Sequence, residues 1–150
     1  MTVTDAAGKA IAASNYAVSY ADNVNAGTAK VKISFKGNYS GEKNLTFVIA
    51  KAANPMKVKA KKPKVKYSKL LQKKQTIKAK SAVSVREAKG KVTYKKTKGD
   101  KNIKVAKNGK ITIKKGLAKK KYTIKVKVMA SGDKNYKSAS KEVRIVITVR

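Results

Sequence analysis

Lysine is the residue type in this sequence with the most chemistry to offer. The 150-residue chain holds 39 Lys plus Arg against 7 Asp plus Glu, a formal net charge of +32. Such a surplus attracts polyanions: nucleic acid, teichoic acid, sulfated or sialylated mucin, or an anionic membrane surface. The other reactive types are thin. With no Cys and no His, the chain offers no disulfide, no thiol or imidazole nucleophile, no Ser-His-Asp relay and no ordinary zinc site. Catalysis by paired carboxylates would have to draw on Asp5, Asp22, Glu42, Glu87, Asp100, Asp133 and Glu142, which stand apart along the chain. Turn chemistry accounts for Asp22, Asp100 and Asp133. Calcium wants several oxygen ligands at close spacing, and Asp22-Asn23 or Asp133-Lys134-Asn135 supplies too few beside too much positive charge. The expectation is a non-enzyme without cofactor or metal.

Two roles compete for the lysines. Strand exteriors must be polar, and Lys on sheet edges blocks edge-to-edge association. Solubility, however, asks a small domain for a net charge of only about 2 to 8. The first 50 residues carry five Lys against three acids, a net of +2, which leaves +30 for residues 51–150. A surplus of that size binds anions whatever else it does. Lys95, Lys96, Lys114, Lys125 and Lys127 are the candidate polyanion-binding residues. Specific reading of nucleic acid is not expected, because Arg makes the bidentate contacts to guanine and only Arg86, Arg144 and Arg150 occur.

The elements that must present these side chains are strands. Val31, Ile33 and Phe35 fall on one face of an extended segment, with Lys30, Lys32, Ser34 and Lys36 on the other. The same alternation runs through 110–114, 122–128 and 143–149, and shorter strands are predicted at 18–20, 45–49, 58–60, 65–67, 76–79, 92–94 and 103–105. Gly37-Asn38 and Asn108-Gly109 are turn dipeptides, the second a two-residue hairpin signal. Only 68–74 and 81–89 read as short helices. Pro55 lacks a backbone donor and extends Asn54, so the junction between two bodies is placed at 51–55. No apolar run approaches the ~20 residues that a membrane-spanning helix needs.

The expected fold is all-β: two tandem antiparallel Ig-like β-sandwich modules, residues 1–51 and 55–150, the first truncated at its N-terminus. The predicted core of the second is Tyr94, Ile111, Ile113, Tyr122, Ile124, Val126, Val128, Val143, Ile145 and Ile147. An echo links the modules, each with an apolar strand, a Gly and Asn-Tyr turn, and a closing apolar strand. Tyr39 and Tyr136 hold equivalent places in it, read as rings covering one end of a sandwich, with stacking on sugar or base as the other reading.

Asn15-Tyr-Ala-Val-Ser-Tyr20, Asn23-Val-Asn-Ala-Gly-Thr-Ala29, Gly37-Asn-Tyr-Ser-Gly41 and Phe47-Val-Ile49 resemble the Ig-like modules repeated in large surface proteins of Gram-positive gut bacteria. Residues 54–150 resemble the Lys-rich β module that often follows, through Asn54-Pro-Met-Lys-Val58, Gly90-Lys-Val-Thr-Tyr94, Asn108-Gly-Lys-Ile-Thr-Ile113, Tyr122-Thr-Ile-Lys-Val126 and Gly132-Asp-Lys-Asn-Tyr136. Asn15 stands where that family usually has Asp, and Thr2-Val-Thr4 corresponds to its second strand, so the resemblance implies a first module with an unpaired edge or borrowed pairing. It further implies an extracellular, cell-surface or cell-wall location. The function it implies is that of a structural spacer module, associating with anionic cell-wall polymer or host glycan and flanked by neighbouring modules of a larger chain; the alternative is a polyanion- or mucin-binding adhesion module. Some Gram-positive Ig-like domains form a Lys–Asn isopeptide cross-link, but that needs a buried lysine, and the alternation puts Lys on the polar phase.

Overall fold

The computed structural model describes residues 2–150. Strands take 50% of the chain and helix 9%, and contacts divide it into two compact units, one ending at Lys51 and one spanning Ala52–Arg150.

In the first unit a 3-10 turn at Ala13–Asn15 leads into β1 (Tyr16–Ala21), β2 (Gly27–Phe35) and β3 (Glu42–Ile49), an antiparallel meander with β2 central. The alternation at 30–36 sets its faces. Val31 and Ile33 are buried, and Val3 and Ile11 from the preceding segment pack on them with Val18, Phe35 and Tyr39 beside. That cover extends over only part of the apolar face: Tyr20, Leu45 and Phe47 stay 53%, 43% and 42% exposed. Asp22, in the turn between β1 and β2, takes a left-handed φ of 58°.

The second unit runs β4 (Lys57–Ala60), β5 (Lys64–Val65), α1 (Tyr67–Gln72), β6 (Gln75–Ile77), α2 (Ala79–Ala82), β7 (Val83–Arg86), β8 (Val92–Lys98), β9 (Ile103–Val105), β10 (Ile111–Ile113), β11 (Lys121–Ala130) and β12 (Ala139–Val149). They form three sheets, ordered β5-β12-β11-β8, β6-β10-β9 and β4-β7. One core serves all three. It holds Ile111, Ile113, Tyr122, Ile124, Val126, Val128, Ile145 and Ile147, with Tyr94 and Val143 partly buried at its margin. Met56, Leu70, Ile77, Val83, Ile103 and Val149 also belong to it, with Val65, Ala82 and Ala130. All but Val149, the last apolar position of the 143–149 alternation, and Ala130, the last residue of β11, come from segments too short to show a period.

Four local expectations are corrected. The predicted helix at 81–89 is the single turn α2 followed by strand β7, because β-branched Val83 and Val85 pair with Ala60 and Val58. The helix predicted at 68–74 is α1, shifted toward the N-terminus, with Leu70 fully buried. Strand pairing is antiparallel except that β5 joins β12 in parallel, and the isolated bridge of Ala52 to Tyr136 is parallel as well. The hairpin from β9 to β10 has a three-residue loop: the Ala106 N–H donates to Lys110 O, the Gly109 N–H donates to Ala106 O, and Gly109 alone takes positive φ, 81°.

Residues 52–54 are not a free linker. Ala52 bridges Tyr136, and the Asn54 side chain donates to Lys89 O (2.9 Å) and Lys137 O (3.2 Å) while accepting from Lys89 N (3.1 Å). A corner tyrosine does occur, at neither expected place: the Tyr122 hydroxyl donates to Ala118 O, 2.9 Å away and four residues upstream. Tyr39 packs against the first core, and Tyr136 lies under the Lys89 ammonium, 5.2 Å from its ring centre.

Candidate polyanion-binding surfaces

The five lysines singled out by sequence occupy three different environments. Along β11 the outward phase is Lys121, Thr123, Lys125, Lys127 and Met129, the alternate positions being buried. Register places Lys95 opposite Lys127 and Lys127 opposite Glu142, and sets Lys125 beside Arg144. Lys95, Lys125 and Lys127 therefore share the outer face of the four-stranded sheet. A bulge where β8 meets Lys125 and Val126 turns Thr97 toward the same face. There the Thr97 hydroxyl donates to Glu142 Oε2 at 2.7 Å, and Lys125 Nζ lies 3.2 Å from Glu142 Oε1.

Glu142 is thus an anion built into the middle of this cationic face. The Thr97 and Lys125 hydrogen bonds, aided by the Lys125 and Lys98 charges, hold its carboxyl below the usual glutamate value of 4.5. A carboxyl whose pKa is depressed on folding contributes stability that is present above its unfolded pKa and is lost as pH falls through the folded one. Acidification from about pH 4.5 downward should therefore loosen β8, β11 and β12, and Glu142→Gln should start weaker at neutral pH and show a shallower acid loss. Amide exchange at Ile124 and Ile145 reads this out; parallel profiles for the two proteins would contradict it.

Lys96 faces the other way. Val92, Tyr94 and Lys96 lie opposite buried Ala130, Val128 and Val126, so Lys96 shares the core phase. Its stem runs beneath the sheet and its ammonium donates to Asp100 O (2.7 Å), Ile103 O (2.8 Å) and Gly99 O (3.4 Å). This lysine holds the 99–103 turn together and is unavailable to a ligand. The partners are backbone carbonyls, so the one candidate lysine on the core phase does not meet an Asn side chain for an isopeptide cross-link. Lys96→Met keeps the stem but strands the carbonyls and should cost about 2 kcal/mol, whereas Lys95→Met should change stability by less than about 0.5 kcal/mol. Chemical denaturation of the two variants measures the difference, and equal midpoints would refute the assignment.

Lys114 belongs to a third place. It follows β10, its N–H donates to Asn102 O at 3.0 Å, and with Lys74, Lys101 and Lys104 it lines an open groove of about 900 Å3 over Asn102, Val105 and Thr112. Register sets Lys104 beside Thr112. None of these four lysines is in an ion pair among the described residues. Lys74, Lys101 and Lys104 escaped the sequence reading because three separate segments bring them together; the signal was there only as Lys on the polar phase of β9 and at the ends of β6 and β10.

The seven acids are all engaged locally. Asp22, Glu42, Glu87 and Glu142 pair with Lys30, Lys32, Lys57 and Lys125. Asp5 accepts from the N–H groups of Ala7 and Lys9, Asp100 from Asn102, and Asp133 from Asn135 and Tyr136. Among the described residues no three metal-ligating side chains come together, no polar residue is fully buried, and no helix is long and apolar enough to cross a membrane. Comparison with protein-family models and with curated proteins finds no match to this chain.

Proposed function

We propose that this chain is a non-catalytic structural module of a bacterial cell-surface or secreted protein, which associates through its lysines with anionic wall polymer. One observation carries the reading: the carboxylates sit singly in ion pairs and turns, while the excess of cations, +29 over residues 52–150, stands on a β framework. An Ig-like sandwich for that unit is supported by sheets packing on one shared core and by the Tyr122 corner. The resemblance to modules of Gram-positive surface proteins supports the location and the spacer role. The alternative, a dedicated polyanion- or mucin-binding adhesion module, is favoured by the acid-free lysine groove.

A titration at about 0.15 M salt tests the reading, with wall polymer, mucin and duplex DNA as ligands and polylysine of equal charge as the reference. Wall polymer held more tightly than polylysine holds it supports the association. Binding of all three anions alike, released together as salt rises, would overturn the association.

A further inference from the structure

The groove lined by Lys74, Lys101, Lys104 and Lys114 differs from the rest of this cationic surface in what surrounds it. On the outer face of the four-stranded sheet, Glu142 already neutralises part of the field between Lys125, Lys127 and Lys98. In the groove no carboxylate is among the lining residues. The nearest acid in sequence, Asp100, turns its Oδ1 onto the Asn102 N–H at 2.8 Å. Like charges set close together repel, and among the described residues none of these four lysines is in an ion pair.

The groove is also held in shape. Lys101 and Asn102 sit in the turn whose carbonyls, Gly99, Asp100 and Ile103, are gripped from the core side by the Lys96 ammonium. Lys104 is fixed beside Thr112 by the pairing of β9 and β10, and Lys114 is tied to Asn102 through its N–H. Ammonium groups carried on a rigid floor bind an anion with less ordering cost than lysines on a loose loop. Positions alternate along these strands with a rise of about 6.8 Å per pair of residues, and strands lie about 4.8 Å apart. Cations presented at about that pitch match a flexible chain of closely spaced anions.

We propose that this groove is a discrete subsite for a flexible polymer of tetrahedral oxyanions such as phosphates, with the four lysines supplying charge and Thr112 and Asn102 supplying directional hydrogen bonds. Lysine acts on phosphate as a compact point charge with three donors, and no Arg lines the site to favour a planar carboxylate. This deepens the polymer-association reading and rests on it.

The test compares the full chain with two variants of equal charge: the groove variant Lys74→Gln, Lys101→Gln, Lys104→Gln, Lys114→Gln, and the sheet-face variant Lys95→Gln, Lys98→Gln, Lys121→Gln, Lys127→Gln. All eight side chains are exposed, so both variants should fold, which their amide spectra verify. The probes are short-chain inorganic polyphosphate and poly(glycerol phosphate), with duplex DNA alongside. The groove variant should bind both flexible probes about tenfold more weakly at about 0.15 M salt, with a salt slope reduced by about three. The sheet-face variant should lose about threefold at most, and duplex DNA should weaken alike in both. Equal losses for the flexible probes in the two variants would overturn the groove while leaving polymer association intact. Wild-type binding no tighter than polylysine would instead remove the association itself, and the groove with it.

Discussion

Replacing Gly90 by Ala should destabilise the second unit by about 2 to 5 kcal/mol, enough to consume much of the stability of a small domain. A Cβ built there would stand 1.9 Å from the carbonyl oxygen of Gly132 and 2.4 Å from the Ser131 hydroxyl, and the φ of Gly90 is +82°. The obstruction is backbone, which no side-chain rotation relieves. Two costs add: an L residue held in the left-handed region, about 1 to 2 kcal/mol, and overpacking, about 1 to 3 kcal/mol. The contact cannot simply open, because the surrounding bonds close it. The Ser131 N–H donates to Lys91 O, Gly132 N–H to Lys89 O, and the Lys91 N–H to Ser131 Oγ, while Asn54 grips Lys89 from the other side. Gly116→Ala is the fitting control, since it has a similar φ of +77° but no atom within 4 Å of the new Cβ. Chemical denaturation should show Gly90→Ala losing at least about 1 kcal/mol more than Gly116→Ala; equal losses would mean that φ alone, and not the close approach to Gly132, decides.

That close approach also marks the limit of what the sequence disclosed. The long strands were legible because one face is buried and the other wet, so Tyr122, Ile124, Val126 and Val128 announced β11, and Val143, Ile145 and Ile147 announced β12. The four-residue strand β7 has too few positions to display a period, and 81–89 reads as helix from sequence instead. Gly90 and Gly132 could be read as turn residues, but nothing local says that their backbones touch. The lysines show the same division. Alternation assigns Lys125 and Lys127 to the outer face, and continuing it from Val92 through Tyr94 carries Lys96 inward, against the expectation that a lysine stays on the polar phase. Its inward path depends on the 99–103 turn offering three carbonyls, a tertiary fact. The groove of Lys74, Lys101, Lys104 and Lys114 is tertiary as well, since residues 40 apart in sequence line it together.

Ile124→Ala should cost about 3 to 4 kcal/mol, through the lost transfer energy of the side chain and the cavity it leaves. Ile124 is fully buried at the middle of β11, paired with Ile145 on β12, and β11 is the strand that joins β8 to β12. The site has little freedom to collapse, because β12 pairs with β11 on one side and the Gly99 backbone comes close to Ile124, where a Cβ on Gly99 would stand 2.6 Å from its Cγ2. On the far side of the same strand, Lys125 and Lys127 stand in a field that already repels itself, so the sheet holds their charges together with burial energy from Ile124, Val126 and Val128. The expected result is a lower denaturation midpoint with an unchanged slope. Thr123→Ala, on the exposed phase of the same strand, should move the midpoint by less than about 0.5 kcal/mol equivalent. A loss below about 1.5 kcal/mol for Ile124→Ala would mean that the core around β11 repacks freely and that the cationic face is not held rigid by it.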